Sequence, residues 1–199
     1  IEFNEDDTLI GASITDGTRD IVLVNSNGKV TRFVETEVRS MGREARGVRG
    51  IRLKKTGESV VAMIVADDEA TVLLACEKGY GKRTLVSEFP CKGRGAMGVI
   101  GIQTSERNGA VVGAAQVVDD DDLLLITNSG TMVRTPCHDI SVLGRNTQGV
   151  TLIRLTDGEQ LVQVDAVSEP AVDLVSESET DDAEIIDGSA VEMDDESAN

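Results

Sequence analysis

Three stretches of this chain repeat one another at a spacing of 51 residues, and a fixed period limits the possible folds more than any single motif. The segments "IVLVNSNGKVTRF" (21–33), "VLLACEKGYGKRTL" (72–85) and "LLLITNSGTMVRTP" (123–136) align without insertion. Gly28, Gly79 and Gly130 share a register, as do Arg32, Arg83 and Arg134. Further on, "MGREARGVRGI" (41–51), "KGRGAMGVIGI" (92–102) and "LGRNTQGVTLI" (143–153) keep step. Arg43, Arg94 and Arg145 coincide there, and so do Gly47, Gly98 and Gly149. Leu9 aligns with Val60, Val111 and Val162, so the end of an earlier unit precedes three full ones. A unit this small cannot bury its own faces, and stacked neighbours must complete its core.

Within a unit, the residues read as short strands joined by tight turns. Ile21–Asn25 and Lys29–Val34 flank "SNG", where Asn-Gly tolerates positive φ and favours a hairpin. Val48–Leu53 and Ser59–Ala66 flank "KKTGE" and are expected to pair in the same way. The chain has no Trp, one Tyr and three Phe, with 20 Gly against 3 Pro, a composition suited to β-branched strands and frequent turns. The expected fold is therefore all-β, a propeller-like array of four-stranded blades. Its expected parts are the end of a preceding blade (1–20), blades at 21–71, 72–122 and 123–168, and a disordered acidic tail (169–199).

The formal charge of −17 is unevenly spread: residues 169–199 hold 12 acids and no base, leaving 24 acidic and 19 basic residues in the rest. The body is thus only mildly acidic, and a polyanionic partner remains open to it. The tail's carboxylates are expected to compete with phosphates for the same surface.

Catalysis finds little support. "GYGKRT" (79–84) ends like a phosphate loop, but no helical periodicity follows it, and its register with Gly28 and Gly130 makes it a hairpin turn. Tyr80 aligns with Lys29 and Thr131 and is expected to be a half-exposed strand residue. The one histidine, His138, excludes a conventional Ser–His or Cys–His constellation within this chain. Cys76, Cys91 and Cys137 show no ligand spacing and read as reduced thiols. "DDE" (67–69) and "DDDD" (119–122) occupy equivalent turns and read as solvated acids. No apolar run is long enough to span a bilayer, so no membrane partner is expected. Neither a cofactor nor a metal ion is expected in this chain.

The basic residues carry more information. Residues 29–55 hold nine Lys and Arg against three Glu, and residues 78–94 hold five against one. Arranged around a ring of blades, such residues would form a spaced series of positive charges able to follow a curved phosphate backbone without reading bases. The candidate contacts are Arg43, Arg46, Arg49, Lys54, Lys55, Lys78, Lys82, Arg83, Lys92, Arg94, Arg134 and Arg145. For the repeated arginines, bridging between blades or capping of loop carbonyls is the competing role.

The segments "ITDGTRDIVLV", "GVRGIRL", "NGAVVGAAQV", "GYGKRT" and "ISVLGRNTQGVTLIR" resemble the C-terminal, DNA-wrapping domain of the DNA gyrase A subunits, over residues 1–168. The tail segment "IDGSA" (186–190) is similar to the ends of some bacterial members. The resemblance implies a β-pinwheel with strands exchanged between neighbours, which wraps double-stranded DNA on a positive rim. It further implies a cytoplasmic type II topoisomerase that introduces negative supercoils using ATP and Mg2+. In that enzyme the rest of gyrase A, together with gyrase B in an A2B2 assembly, holds the catalytic parts. The family's basic box, Gln-Arg-Arg-Gly-Gly-Lys-Gly, has no match here; "KGRGAMG" (92–98) is a degenerate echo. The chain thus resembles the last three blades and part of the one before. The alternatives are the equivalent C-terminal domain of topoisomerase IV and a protein-binding propeller scaffold.

Overall fold

The computed structural model describes residues 2, 3, 5, 7–54 and 56–168; Lys55 and the acidic segment 169–199 lie outside the described residues. The elements are β1 (Asp20–Asn25), β2 (Lys29–Val34), β3 (Val60–Ala66), β4 (Thr71–Cys76), β5 (Tyr80–Leu85), β6 (Val99–Ile100), β7 (Val111–Val117), β8 (Asp122–Thr127), β9 (Met132–Pro136), β10 (Val150–Thr151) and β11 (Leu161–Val167). A single 3-10 turn follows the second strand of each repeat, at Glu35–Glu37, Val86–Glu88 and Cys137–Asp139. The all-β expectation holds.

The strands form three antiparallel sheets, ordered β3-β1-β2-β6, β10-β5-β4-β7 and β11-β8-β9. Each sheet is built on a hairpin whose turn falls at the repeated glycine, with registers such as Val24↔Val30 and Ala75↔Gly81. The fourth strand comes from elsewhere. β6 belongs by sequence to the second repeat but pairs with β2 of the first, through Lys29↔Ile100 and Val30↔Val99. β10 of the third repeat pairs likewise with β5, through Val150↔Gly81 and Thr151↔Tyr80.

This exchange corrects one expectation. Val48–Leu53 does not form a hairpin with Ser59–Ala66; β3 pairs with β1 instead, and the 48–53 stretch contributes only a parallel bridge from Ile51 to Ala96. Its equivalents are the exchanged strands β6 and β10, so this segment of a unit serves the unit before it. Among the described residues no blade precedes β1, and residues 48–53 have no sheet to join.

The core lies between blades rather than inside them. β4 is buried on both faces. Val72, Leu74 and Cys76 pack with Val22, Val24, Val30 and Ile64 of the first blade, while Leu73 and Ala75 pack with Leu123, Leu125 and Leu161 of the third. Alternation along the strand therefore sends successive side chains into two separate cores. Each fully buried Leu or Val contributes roughly 1.5–3 kcal/mol, but only with the neighbouring blade in place.

The turn glycines make the exchange possible. Gly28 sits at φ +72°, and a Cβ there would lie 2.3 Å from the Ile102 carbonyl oxygen. Its own carbonyl accepts the Gly101 amide at 2.8 Å. Gly79 repeats this at φ +78°, with a Cβ 2.4 Å from the Ile153 oxygen and its carbonyl accepting the Leu152 amide at 2.8 Å. Gly130 has φ +86° but open space around it.

These differences predict unequal costs. Gly130→Ala should lose roughly 1 kcal/mol from the left-handed backbone alone, whereas Gly79→Ala should lose about 3 kcal/mol or more, because the incoming strand must also shift. Urea unfolding of both variants measures this, and equal losses would show that close approach does not matter.

Candidate nucleic-acid interface

The cations divide by what already holds them. Arg32 donates to Asp20 (2.7 Å), Asp68 (2.6 Å) and the Val86 carbonyl (3.1 Å), tying its own repeat to the next. Arg83 donates to the Ile140 carbonyl at 2.9 Å and pairs with Asp119, the equivalent of Asp68. Arg134 pairs with Asp122, the equivalent of Asp20. The acids of "DDE" and "DDDD" are therefore not merely solvated: Asp68 and Asp119 anchor an arginine of the same repeat, and Asp121 accepts the Val118 amide at 2.9 Å. Arg83 is only 3% exposed, and the bridging role displaces it as a phosphate contact.

Lys82 is corrected in the same way. Its side chain is fully buried, and its ammonium donates to the carbonyls of Gly144 and Arg145, both at 2.6 Å, and to the Thr147 hydroxyl at 3.0 Å. The loop of the third repeat folds over it. Burial holds its pKa down, at about 8.

That loop is one of a series. The Gly-rich segment of each repeat lies beside the equivalent segment of the previous one. Gly95 N–H donates to Gly50 O at 2.7 Å, and Arg52 N–H donates to Ala96 O at 2.8 Å. One repeat later, Gln103 N–H reaches Thr147 O at 2.8 Å. Arg94 reaches back to the Arg49 carbonyl (2.6 Å) and Arg145 to the Ile100 carbonyl (3.2 Å), the same contact moved by one repeat. Glu37 and Glu88 accept the backbone amides of Arg94 and Arg145 at 2.7 and 3.2 Å. These two arginines thus clamp loop to loop and are half-buried. Arg43 is exposed, with no preceding blade among the described residues to receive it.

The side-by-side loops gather the remaining cations. Arg49, Arg52 and Lys54 lie on one strip, Arg94 on the next reaches Arg49, and Lys92 precedes it beside the end of β2; all but Arg94 are exposed. Lys29, Arg52 and Lys54 border one small hollow of about 150 Å3, together with Glu58, Met97 and Gly98. Among the described residues the side chains of Arg43, Arg49, Arg52, Lys54 and Lys92 form no ion pair, although the Lys54 backbone amide donates to the Glu58 carboxylate at 2.8 Å. Arg46 is exposed and meets Glu2 at 3.3 Å, a surface pair worth little. Lys78 is exposed, with its ammonium on the Glu106 carbonyl.

Other chemistry has little to work with. Burial pushes the Cys76 thiol up to about 12 and that of Cys137 to about 11, so neither is a ready nucleophile. Among the described residues no group of three His, Cys, Asp or Glu side chains could hold a metal ion, and no helix is long and apolar enough to cross a membrane.

The repeats also match a family model, described as DNA gyrase C-terminal domain, beta-propeller, at residues 19–67, 70–117 and 121–168. The chain belongs to this family. It is 50% identical over 171 residues to the DNA gyrase A protein of Pseudomonas aeruginosa and 48% identical over 198 residues to that of Escherichia coli. Those matches cover 86% and 100% of the chain but 18% and 22% of the relatives, so it spans about a fifth of their length. A solved DNA gyrase A C-terminal domain superposes with a TM-score of 0.76 at 28% identity, covering 83% of this chain and 56% of that one. The C-terminal domain of DNA topoisomerase IV superposes at 0.79 with 25% identity, covering 84% and 52%.

For this gyrase C-terminal propeller, two cations bordering the hollow escaped the candidate set, the half-buried Lys29 and the exposed Arg52. Both lie within the basic stretch 29–55, so the charge pattern held a signal for them that the candidate set did not take up. Arg107, outside both basic stretches, gave no signal at all.

Lys82 yields a prediction with a definite sign. Its folded pKa lies below the ordinary lysine value of 10.5, so between about pH 8 and 10.5 the unfolded chain binds more protons. The group therefore weighs against folding below pH 8, and that penalty is relieved as pH rises through the window. Lys82→Met, which strands three acceptors, should lose about 3 kcal/mol at pH 7. The gap to the parent should widen as pH rises from 8 to 10.5 in unfolding experiments. A constant gap would refute the depressed pKa.

Proposed function

We infer that this chain is a duplex-wrapping module of a type II DNA topoisomerase of the gyrase kind. The observation that carries this reading is the set of exposed cations whose side chains form no ion pair, Arg49, Arg52 and Lys54 on one Gly-rich loop and Lys92 on the next, where the two loops run in parallel. Such groups neutralise phosphates along a backbone and read no base edges, so binding is sequence-tolerant. Arg43, Arg46 and Lys78 extend the surface, and the guanidinium groups of Arg94, Arg134 and Arg145 add to it. Lys55 is proposed on its neighbours' account alone.

Identities of 48–50% to DNA gyrase A proteins, against 25% to the solved topoisomerase IV domain, favour the gyrase reading. In the whole enzyme the wrapped duplex is delivered to catalytic regions outside this chain. There the remainder of gyrase A, with gyrase B in an A2B2 assembly, couples strand passage to ATP and Mg2+. The setting is the bacterial cytoplasm, on the chromosome. The acidic segment 169–199 supports an autoregulatory role, in which its carboxylates compete with phosphates for the strip.

The test is affinity for a duplex of about 40 base pairs across a salt series. Each phosphate neutralised contributes a slope of about 0.9 in log affinity against log salt. Arg49→Ala and Lys54→Ala should each lower the slope by roughly that amount and leave the melting temperature unchanged. Arg83→Ala should instead leave the slope of the folded protein unchanged and destabilise it by about 2–3 kcal/mol, since Asp119 and the Ile140 carbonyl lose their donor. Absence of salt-sensitive binding by the folded chain would refute the reading.

A further inference from the structure

The positions that line the hollow at the junction of the first two blades have equivalents at the next junction, and the residues there have changed. Where the first has Lys29, Arg52, Lys54 and Met97, the residues 51 positions on are Tyr80, Gln103, Ser105 and Gln148. Three cations have been lost, together with the acid Glu58, whose equivalent is Gly109. Tyr80 holds the place of Lys29, beside the exchanged strand: Lys29 pairs with Ile100, and Tyr80 with Thr151. In the space above it lies Arg107, where the first junction has Thr56. Its guanidinium carbon sits 4.4 Å from the centroid of the Tyr80 ring.

The loop bearing Arg107 is rigidly built. Asn108 is fully buried; its amide nitrogen donates to the Gln103 carbonyl at 2.8 Å and the Gln148 carbonyl at 3.2 Å, while its side-chain oxygen accepts the Ser105 amide at 2.8 Å. Lys78 is tied to the same loop through the Glu106 carbonyl. Arg107 itself is exposed, donates to the Gln148 side-chain oxygen at 3.3 Å, and pairs with no carboxylate among the described residues. Stacking on a ring face holds the guanidinium plane while leaving its edge donors free to meet a planar anionic group. Tyr80 belongs to neither apolar core, so covering the ring is not a packing requirement.

We propose that Arg107, stacked on Tyr80 at the junction of the second and third blades, is a pre-oriented contact for a phosphate of the duplex backbone, with Lys78 beside it. It takes the place of the three cations lost from that junction and carries the basic strip past the first. Tyr80 and Asn108 are positioning residues. The Tyr80 face is covered by Arg107, which excludes it as a stacking platform for an unpaired base. The proposal rests on the duplex-wrapping reading.

The experiment uses the intact chain, the same 40-base-pair duplex and salt series, and a melting temperature for every variant. Arg107→Ala should lower the salt slope by about 0.9 and weaken binding roughly three- to tenfold at moderate salt, with the melting temperature unchanged. Tyr80→Phe should bind like the parent. Tyr80→Leu should keep the slope, since the charge remains, and weaken binding two- to fivefold, because the arginine must then be ordered on binding. Tyr80→Leu combined with Arg107→Ala should be no weaker than Arg107→Ala alone. An Arg107→Ala slope equal to the parent's, while Arg49→Ala lowers it, would overturn the proposal and leave the wrapping reading standing. Loss of binding in Tyr80→Phe equal to that in Tyr80→Leu would overturn the stacking role. If the folded parent shows no salt-sensitive duplex binding, both readings fall.

Discussion

Everything in this molecule depends on the hydrogen bonds that a turn glycine offers to the next repeat. The carbonyls of Gly28 and Gly79 accept amides from Gly101 and Leu152, and those bonds seat the exchanged strands β6 and β10 on the preceding sheets. Only a residue without Cβ can stand there, because the incoming carbonyl lies within 2.4 Å of where a side chain would begin. Positive φ alone would tolerate Asn at such a turn; the close approach does not. A blade is thus completed by its neighbour.

The cores follow the same rule. β4 sends Val72 and Leu74 one way and Leu73 and Ala75 the other, so the middle blade owns no core of its own. Arg32 and Arg83 reinforce this from the edges, each joining a turn acid of its own repeat to a backbone carbonyl of the next. These are partly or fully buried charges whose donors are met, a state that is costly to break and modest in net gain. Stability in such an array grows with each junction formed.

A division of labour among the cations emerges from this architecture. At the position that is basic in every repeat, Arg32 and Arg83 are consumed by the machinery that joins blades, while Arg134 pairs with Asp122 of its own sheet and stays half-exposed. Arg94 and Arg145 are partly consumed, since each clasps a carbonyl of the previous loop. Positions basic in one repeat only, such as Arg49 and Lys54, are left exposed, as is Arg52, which recurs once as Arg154. Repetition in every unit goes largely with contacts between units, and departure from it largely with exposure. Lys82 is the instructive exception: it is unrepeated, yet buried, because the third repeat's loop supplies three acceptors above it.

Much of this was legible in the residues themselves. The 51-residue register, the hairpins at Asn27-Gly28 and at Gly79, and the absence of a catalytic set all follow from local chemistry: turn conformations are decided within four residues, and a nucleophile without a base is visible in the bare sequence. The resemblance to gyrase A C-terminal domains stood on the same repeated segments. What the sequence did not decide was which partner each strand takes. Val99–Ile100 pairs with β2 of the unit before it, and Ser59–Ala66 takes β1 rather than Val48–Leu53 as its partner, because pairing is a long-range choice. Nor could it decide which cations meet solvent. Lys78 and Lys82 differ by four positions along the chain. One stays exposed and the other vanishes beneath a loop 62 residues away, because burial is set by what folds over a side chain rather than by what flanks it.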